Sequence, residues 1–447
     1  MIENHPSEEG LIRPAPGTPA RPVDRLPLAL SALAVPNFRL FVSSNVIAMT
    51  AMWMQRIAQD WLVFEMTGSA AAVGVTIAVQ FAPVLLFGLW GGVIVDRYSQ
   101  RRLMMITQSA SSLLSLALAL LVLTGAVELW HVFIIAFVVG LVTVVDKPTR
   151  QVFINELVGP QHLSNAISLG STVFQFGSLV GPALSGLLIV AVGVGWSFAA
   201  NALACALTVF MLSRLNASAL RRAPAAPRAK GQLREGMRHV RSEPVIFWSF
   251  TMLGFMSVFA FSLPVLLTAY ANDVFHVGAG GYGLFNSLAA VGALVGAFFA
   301  ARRTRVRLRT VILTAGLLGL LQACAGLMPN EVAFGVMLAC IGASNLLFGT
   351  ATQSLIQMSS APHFRGRVVA VYSLVLLGGQ AIGGPTMGWI VEHFGPHAAM
   401  IISGLVPTAA AVAIALVLAS RHRLKLSVRL YRGPGRGISI VSSGRKP

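Results

Sequence analysis

Two charges stand in the apolar stretch FVSSNVIAMTAMWMQRIAQDWLVF, residues 41–64. Arg56 and Asp60 are four positions apart, one helical turn on a shared face. At 100° per residue Asn45, Met49, Met52 and Asp60 all project within about 40° of Arg56, as one stripe. Ionisable groups inside a membrane span are costly and mark ion or substrate pathways. One chemistry is proton or cation handling by Asp60, with Arg56 tuning it. Another is capture of an anionic substrate group by Arg56. A third is mutual neutralisation near the interface, with Trp53 and Trp61 as aromatic anchors, and a fourth is an outer gate.

The elements that must hold this pair are membrane helices. The chain of 447 residues is 55% hydrophobic and 11% charged, against roughly a quarter charged in soluble domains. Apolar runs long enough to cross about 30 Å of hydrocarbon recur throughout. The runs predict spans at 38–64, 72–95, 103–124, 129–147, 166–192, 196–213, 245–271, 281–301, 310–328, 331–355, 368–391 and 397–419. The expected fold is an all-α membrane protein of twelve transmembrane helices in two six-helix halves, 37–213 and 245–420. A Pro-rich, disordered cytoplasmic tail at 1–36, a Pro/Ala/Arg-rich cytoplasmic linker at 214–244 and a basic cytoplasmic tail at 421–447 complete it.

Charge placement tests that plan. With both termini in the cytoplasm, all but one of the 33 Lys and Arg fall on the cytoplasmic side; the exception is Arg56. The loops on the opposite side hold Glu65, Glu128, Asp273, Glu331 and Glu392 and no Lys or Arg. This is the positive-inside pattern of a multi-pass protein of the inner or plasma membrane. The net charge of +18 is then topology signal plus attraction to anionic membrane lipid, and no nucleic-acid partner is expected.

The halves repeat. An offset of 202 aligns Gln151 with Gln353, Pro160 with Pro362, Gly181 with Gly383 and Gly186 with Gly388. A parallel six-plus-six repeat is the transporter plan in which substrate binds between the halves.

After the second span, GGVIVDRYSQRRL carries Gly92, Asp96, Arg97, Arg101 and Arg102. It resembles the loop signature of the major facilitator superfamily, with Ser99 in place of a glycine. The resemblance implies a gating loop whose arginines tie the halves in one transport state, with Asp146 at the inner end of helix 4 as its acidic partner. In the fifth span GSLVGPALSG, with Gly177, Gly181, Pro182 and Gly186, resembles the superfamily's antiporter motif, Ser185 standing at one glycine. Asp146, Pro148, Arg150 and Gln151 resemble the D-x-P-x-R-Q ending of helix 4 in the enterobactin-exporter and macrolide-efflux branch. That branch's resemblance runs from about residue 36 to 420.

Gly-Lys never occurs, so a P-loop is absent, and no HExxH or G-x-S-x-G pattern marks catalysis. Cys205, Cys324 and Cys340 sit in apolar runs and predict neither disulfide nor metal site. No enzyme activity, cofactor or metal is expected; the energy source implied by the resemblance is a proton gradient. Other polar groups that can line a cavity are Gln80, Gln175, Tyr270, Asn345, Gln353 and Gln380, with interhelical hydrogen bonding as their ordinary use. The sequence thus points to a monomeric, proton-coupled exporter of a small amphipathic molecule such as a drug, macrolide or siderophore. A nutrient importer or uniporter, or a non-transporting scaffold or sensor, remain the alternatives.

Overall fold

Glycines and capping side chains cut the apolar runs where the chain reverses. Gly68, at φ 63°, ends α1 (Pro36–Thr67), and Ser69 Oγ accepts from Ala72 N to open α2 (Ala70–Arg97). A left-handed residue at a helix end favours glycine because it lacks Cβ. In the computed structural model of the chain, the described residues are 28–159, 161–216, 220, 238, 240–303, 306–360 and 364–421. Residues 1–27 of the first tail, most of the linker and the tail from 422 lie outside them, as does the side chain of Asp96.

There follow α3 (Gln100–Leu123), α4 (Leu129–Val158), α5 (Leu163–Val192) and α6 (Gly195–Ser213). The second group is α7 (Pro244–Val274), α8 (Gly278–Ala301), α9 (Leu308–Ala325) and α10 (Glu331–Ser359). The helical stretch Arg365–Arg421 is broken at Gly395 (φ 81°, ψ 163°) into α11 (365–394) and α12 (396–421). Among the described residues there is no strand. Ten stretches are long and apolar enough to cross a membrane, α11 and α12 counting as one. The remaining helix is α1, 32 residues long, whose Gln55, Arg56, Gln59 and Asp60 lower its apolarity. The protein is an all-α, multi-pass membrane protein.

Successive helices alternate in direction. Arg97, Arg101, Arg102, Arg214, Arg302, Arg307 and Arg367 therefore gather at one end, here the basic end. Glu65, Glu128, Asp273, Glu331 and Glu392 lie at the other, the acidic end.

Two expectations from the sequence are corrected. The apolar run predicts a fourth span ending at 147, yet α4 continues through Pro148 to Val158 and includes Arg150. Proline inside a membrane helix is tolerated where neighbours take over the freed backbone groups. The N-terminal tail is not structureless through residue 36: Leu28–Ala34 forms a 3-10 turn. That turn docks on the start of α5, with Ala32 N donating to Asn165 Oδ1 at 3.2 Å and Ser31 Oγ 3.3 Å from His162 Nδ1.

A kinked α7 shows how such backbone groups are satisfied. It contains two π-helical turns, Met256–Ala260 and Tyr270–Val274. Pro264 has no N–H to offer the Ala260 carbonyl four residues back. Gln322 of α9, wholly buried, donates its Nε2 to that carbonyl at 3.3 Å.

Candidate functional site

The two halves meet at crossings where side chains are nearly absent. A Cβ on Gly74 of α2 would stand 2.1 Å from the Gly384 carbonyl oxygen of α11. A Cβ on Gly283 of α8 would stand 2.5 Å from the Pro182 carbonyl oxygen of α5. Adding the repeat offset of 202 to residue 182 gives 384, so the second crossing is the internal-repeat image of the first. Small residues let membrane helices approach until backbones touch. Gly186 and Gly388 extend the two crossings, against Ala279 and Gly280 and against Ala70 and Ala71 respectively.

Hydrogen bonds close the same seam. Tyr282 of α8 donates its hydroxyl to Asp60 Oδ2 of α1 at 3.1 Å, and Asp60 is 2% exposed. The Tyr282 ring stacks on Trp61 at 6.1 Å. Glu392, at the end of α11, accepts from the Ser69 hydroxyl and from Ala71 N at 3.4 Å. A carboxylate at the N-terminus of α2 also complements the helix dipole. Ser287 of α8 donates to the Leu179 carbonyl of α5 at 3.0 Å. All of these lie at the midplane or toward the acidic end.

The α5 face that packs on α8 through Leu179, Pro182 and Gly186 continues toward the basic end as Ser164, Ser168, Ser171 and Gln175. There the serines are exposed, and Ser168 and Ser171 bond only their own helix. One face is thus docked at one end and free at the other.

The α1 stripe does not act as a unit. Asn45 is buried and its Oδ1 accepts from Arg150. Met49 backs onto Gly177, and Met52 is exposed. Arg56 has no carboxylate within 4 Å among the described residues; the i,i+4 ion pair that the spacing allows is not formed. Its guanidinium lies 5.8 Å from the Trp53 ring and 5.5 Å from the Phe81 ring of α2. Phe174 of α5 meets Trp53 edge-on at 5.6 Å.

Asp146 pairs with Arg150 of its own helix at 3.2 Å and accepts from Thr107 Oγ1 (2.8 Å) and Gln108 Nε2 (3.0 Å) of α3. Arg101 donates to the Leu212 and Ser213 carbonyls at 2.9 and 2.7 Å, capping α6. In this conformation the loop arginine holds its own half together rather than tying it to the other. Arg97 and Arg102 cluster with it at the basic end. Gly92 belongs to the α2 turn before the loop.

The antiporter-motif glycines seat α5 on α1: Gly177 against Met49, Gly181 against Thr50 and Trp53. Ser185, where the motif has glycine, is wholly buried and donates to the Met54 carbonyl at 3.0 Å.

The remaining polar candidates scatter. Asn345 and Gln353 on α10 are exposed, Gln80 and Gln380 half-buried, and Gln380 Nε2 reaches the Leu376 carbonyl at 3.5 Å. Gln175 Nε2 is buried with no partner among the described residues. Tyr270 is enclosed, its ring stacked on Phe334 at 4.6 Å and its hydroxyl 3.2 Å from His397 Nδ1. The sequence reading missed Tyr282, set in the glycine run GAGGYGLF. It also missed the buried knot in which Ser115 and Asn201 donate to Gln55 Oε1.

Solved transporters share this architecture. The nucleoside transporter NupG superposes with a TM-score of 0.68 at 12% identity, over 86% of this chain and 99% of that one. A bacterial homolog of the human lysosomal transporter Spinster, in an inward-facing and unoccupied conformation, gives 0.63 at 15%, over 86% and 97%. The fold is therefore that of the major facilitator transporters. Residues 28–429 match the family described as transmembrane secretion effector, and the chain belongs to it. Among its relatives, the Enterobactin exporter EntS of Citrobacter koseri is 24% identical over 395 residues, 87% of this chain and 94% of that protein.

Proposed function

We propose that this membrane transporter exports a small amphipathic molecule outward through the inner membrane against proton entry. The observation that carries the reading is the one-sided seam: its hydrogen bonds and glycine crossings sit at or beyond the midplane toward the acidic end, with the buried Asp60 carboxyl among them. With the basic end in the cytoplasm, as the positive-inside rule orients it, the conformation is closed outward and open inward. Substrate enters from the inside between α5, α1 and α2. Rocking of the halves parts the acidic-end seam and docks the free serine face of α5.

In this reading Asp60 is the proton-exchanging group. Opening the seam exposes it to the outside, and closing returns it to Tyr282. Its partner is Tyr282 rather than Arg56, so the proton acts on the closing of the seam and Arg56 on what is carried. Relatives named as enterobactin exporters support the outward direction and a siderophore-like or drug-like cargo. The test is flux into inverted vesicles holding the full chain, with enterobactin and a macrolide as probes. Accumulation of either that collapses when the pH gradient is dissipated supports the reading; flux indifferent to the gradient overturns it.

A further inference from the structure

Two hydrogen-bond donors around one aromatic wall lack acceptors among the described residues. Arg56 has neither a carboxylate within 4 Å nor a hydrogen-bond partner among the described residues, and its charge rests on the Trp53 and Phe81 rings. Trp53 Nε1 is buried with no partner among the described residues. The Phe174 ring of α5 meets Trp53 at 5.6 Å. Buried donors are ordinarily satisfied, so a group of orphaned donors calls for an explanation. Here both orphans donate and neither accepts.

We infer that this wall is a subsite for an anionic or acceptor-rich oxygen group carried on a planar aromatic ring, such as an aromatic carboxylate or phenolate. The guanidinium offers a flat fork of donors that suits two oxygens of one group. Trp53, Phe81 and Phe174 provide ring faces and edges for an offset or edge-on aromatic partner. A cationic ligand would find no use for these donors and would meet the arginine's charge. Asp60 makes its hydrogen bond to Tyr282 and stands beyond 4 Å of Arg56, so the guanidinium's donors are left for a ligand. The inference names the cargo class for the transport reading above and rests on it for relevance, yet it is read by binding alone.

The experiment is equilibrium binding to the purified full-length protein of 2-naphthoate and its neutral isostere 2-naphthamide. The wild-type protein is expected to bind the carboxylate at least tenfold tighter than the amide. Arg56→Gln should remove that preference, the loss falling chiefly on the carboxylate. Trp53→Phe keeps the ring and deletes the donor, and should weaken the carboxylate about threefold. Equal binding of the two probes by the wild type, including binding of neither, overturns the inference without needing any variant to fold. So does a preference that survives Arg56→Gln. Selective binding without gradient-driven flux would sink the antiport reading and keep the subsite. Gradient-driven flux with no charge preference would do the reverse.

Discussion

The hydroxyl of Tyr282 and the carboxylate of Asp60, 222 positions apart in the chain, share a 3.1 Å hydrogen bond across the seam between the two halves. It ties α1 to α8 at the end remote from the basic residues. Both groups are buried, so the bond is shielded from competing water.

Tyr282→Phe deletes the donor and keeps the ring on Trp61. Interhelical hydrogen bonds in membranes contribute about 0.6–1.7 kcal/mol, so the open state at the acidic end should gain roughly three- to eighteen-fold in population. Spin labels at Thr67 and Phe394, in a background lacking Cys205, Cys324 and Cys340, should show a longer-distance component. An unchanged distance distribution would mean that the bond contributes nothing to closure.

Gly74→Val and Gly283→Val place branched side chains where a Cβ already meets a carbonyl oxygen at 2.1 and 2.5 Å. Each should prevent acidic-end closure and stop transport while the protein still inserts. Because the crossings are repeat images, the two variants should behave alike. Gly254→Ala, with nothing within 4 Å of its Cβ, is the control and should retain transport. Closure that persists in either valine variant would show that the seam can open a gap the structure does not contain.

Arg150→Gln strands the Asp146 carboxylate among Thr107 and Gln108. Removing one partner of a largely buried pair costs about 3 kcal/mol; the side chains are 14% and 17% exposed. Thermal unfolding in detergent should shift down clearly, and Asp146→Asn in the same chain should restore part of the loss. Strict additivity of the two single changes would contradict a direct coupling.

The parts that the sequence exposes are those governed by the bilayer. Span length, charge side and the six-plus-six repeat follow from hydrocarbon thickness and the placement of Arg and Lys, and the glycine motif announced close packing. The partners of single residues did not follow. Tyr282 becomes a partner of Asp60 only once α1 and α8 cross, which no local spacing encodes. Arg101 bonds the Leu212 and Ser213 carbonyls, groups that every residue possesses and that no motif can flag. The apolar run of the fourth span gives out at 147, because the neighbours that let α4 run on to Val158 are tertiary. Tyr270 reads as a group for a cavity or for an interhelical hydrogen bond, and which of the two depends on His397 and Phe334 coming from other helices.

The central claim is that the proton enters through Asp60. It is tested most directly in proteoliposomes that hold the full chain and an imposed pH gradient, comparing wild type with Asp60→Asn. Asparagine keeps the size of the side chain and can still accept from Tyr282, but it cannot exchange a proton. The account predicts that Asp60→Asn carries substrate by exchange at a rate within about threefold of wild type and loses all accumulation driven by the gradient. Gradient-driven accumulation equal to wild type in Asp60→Asn would contradict it.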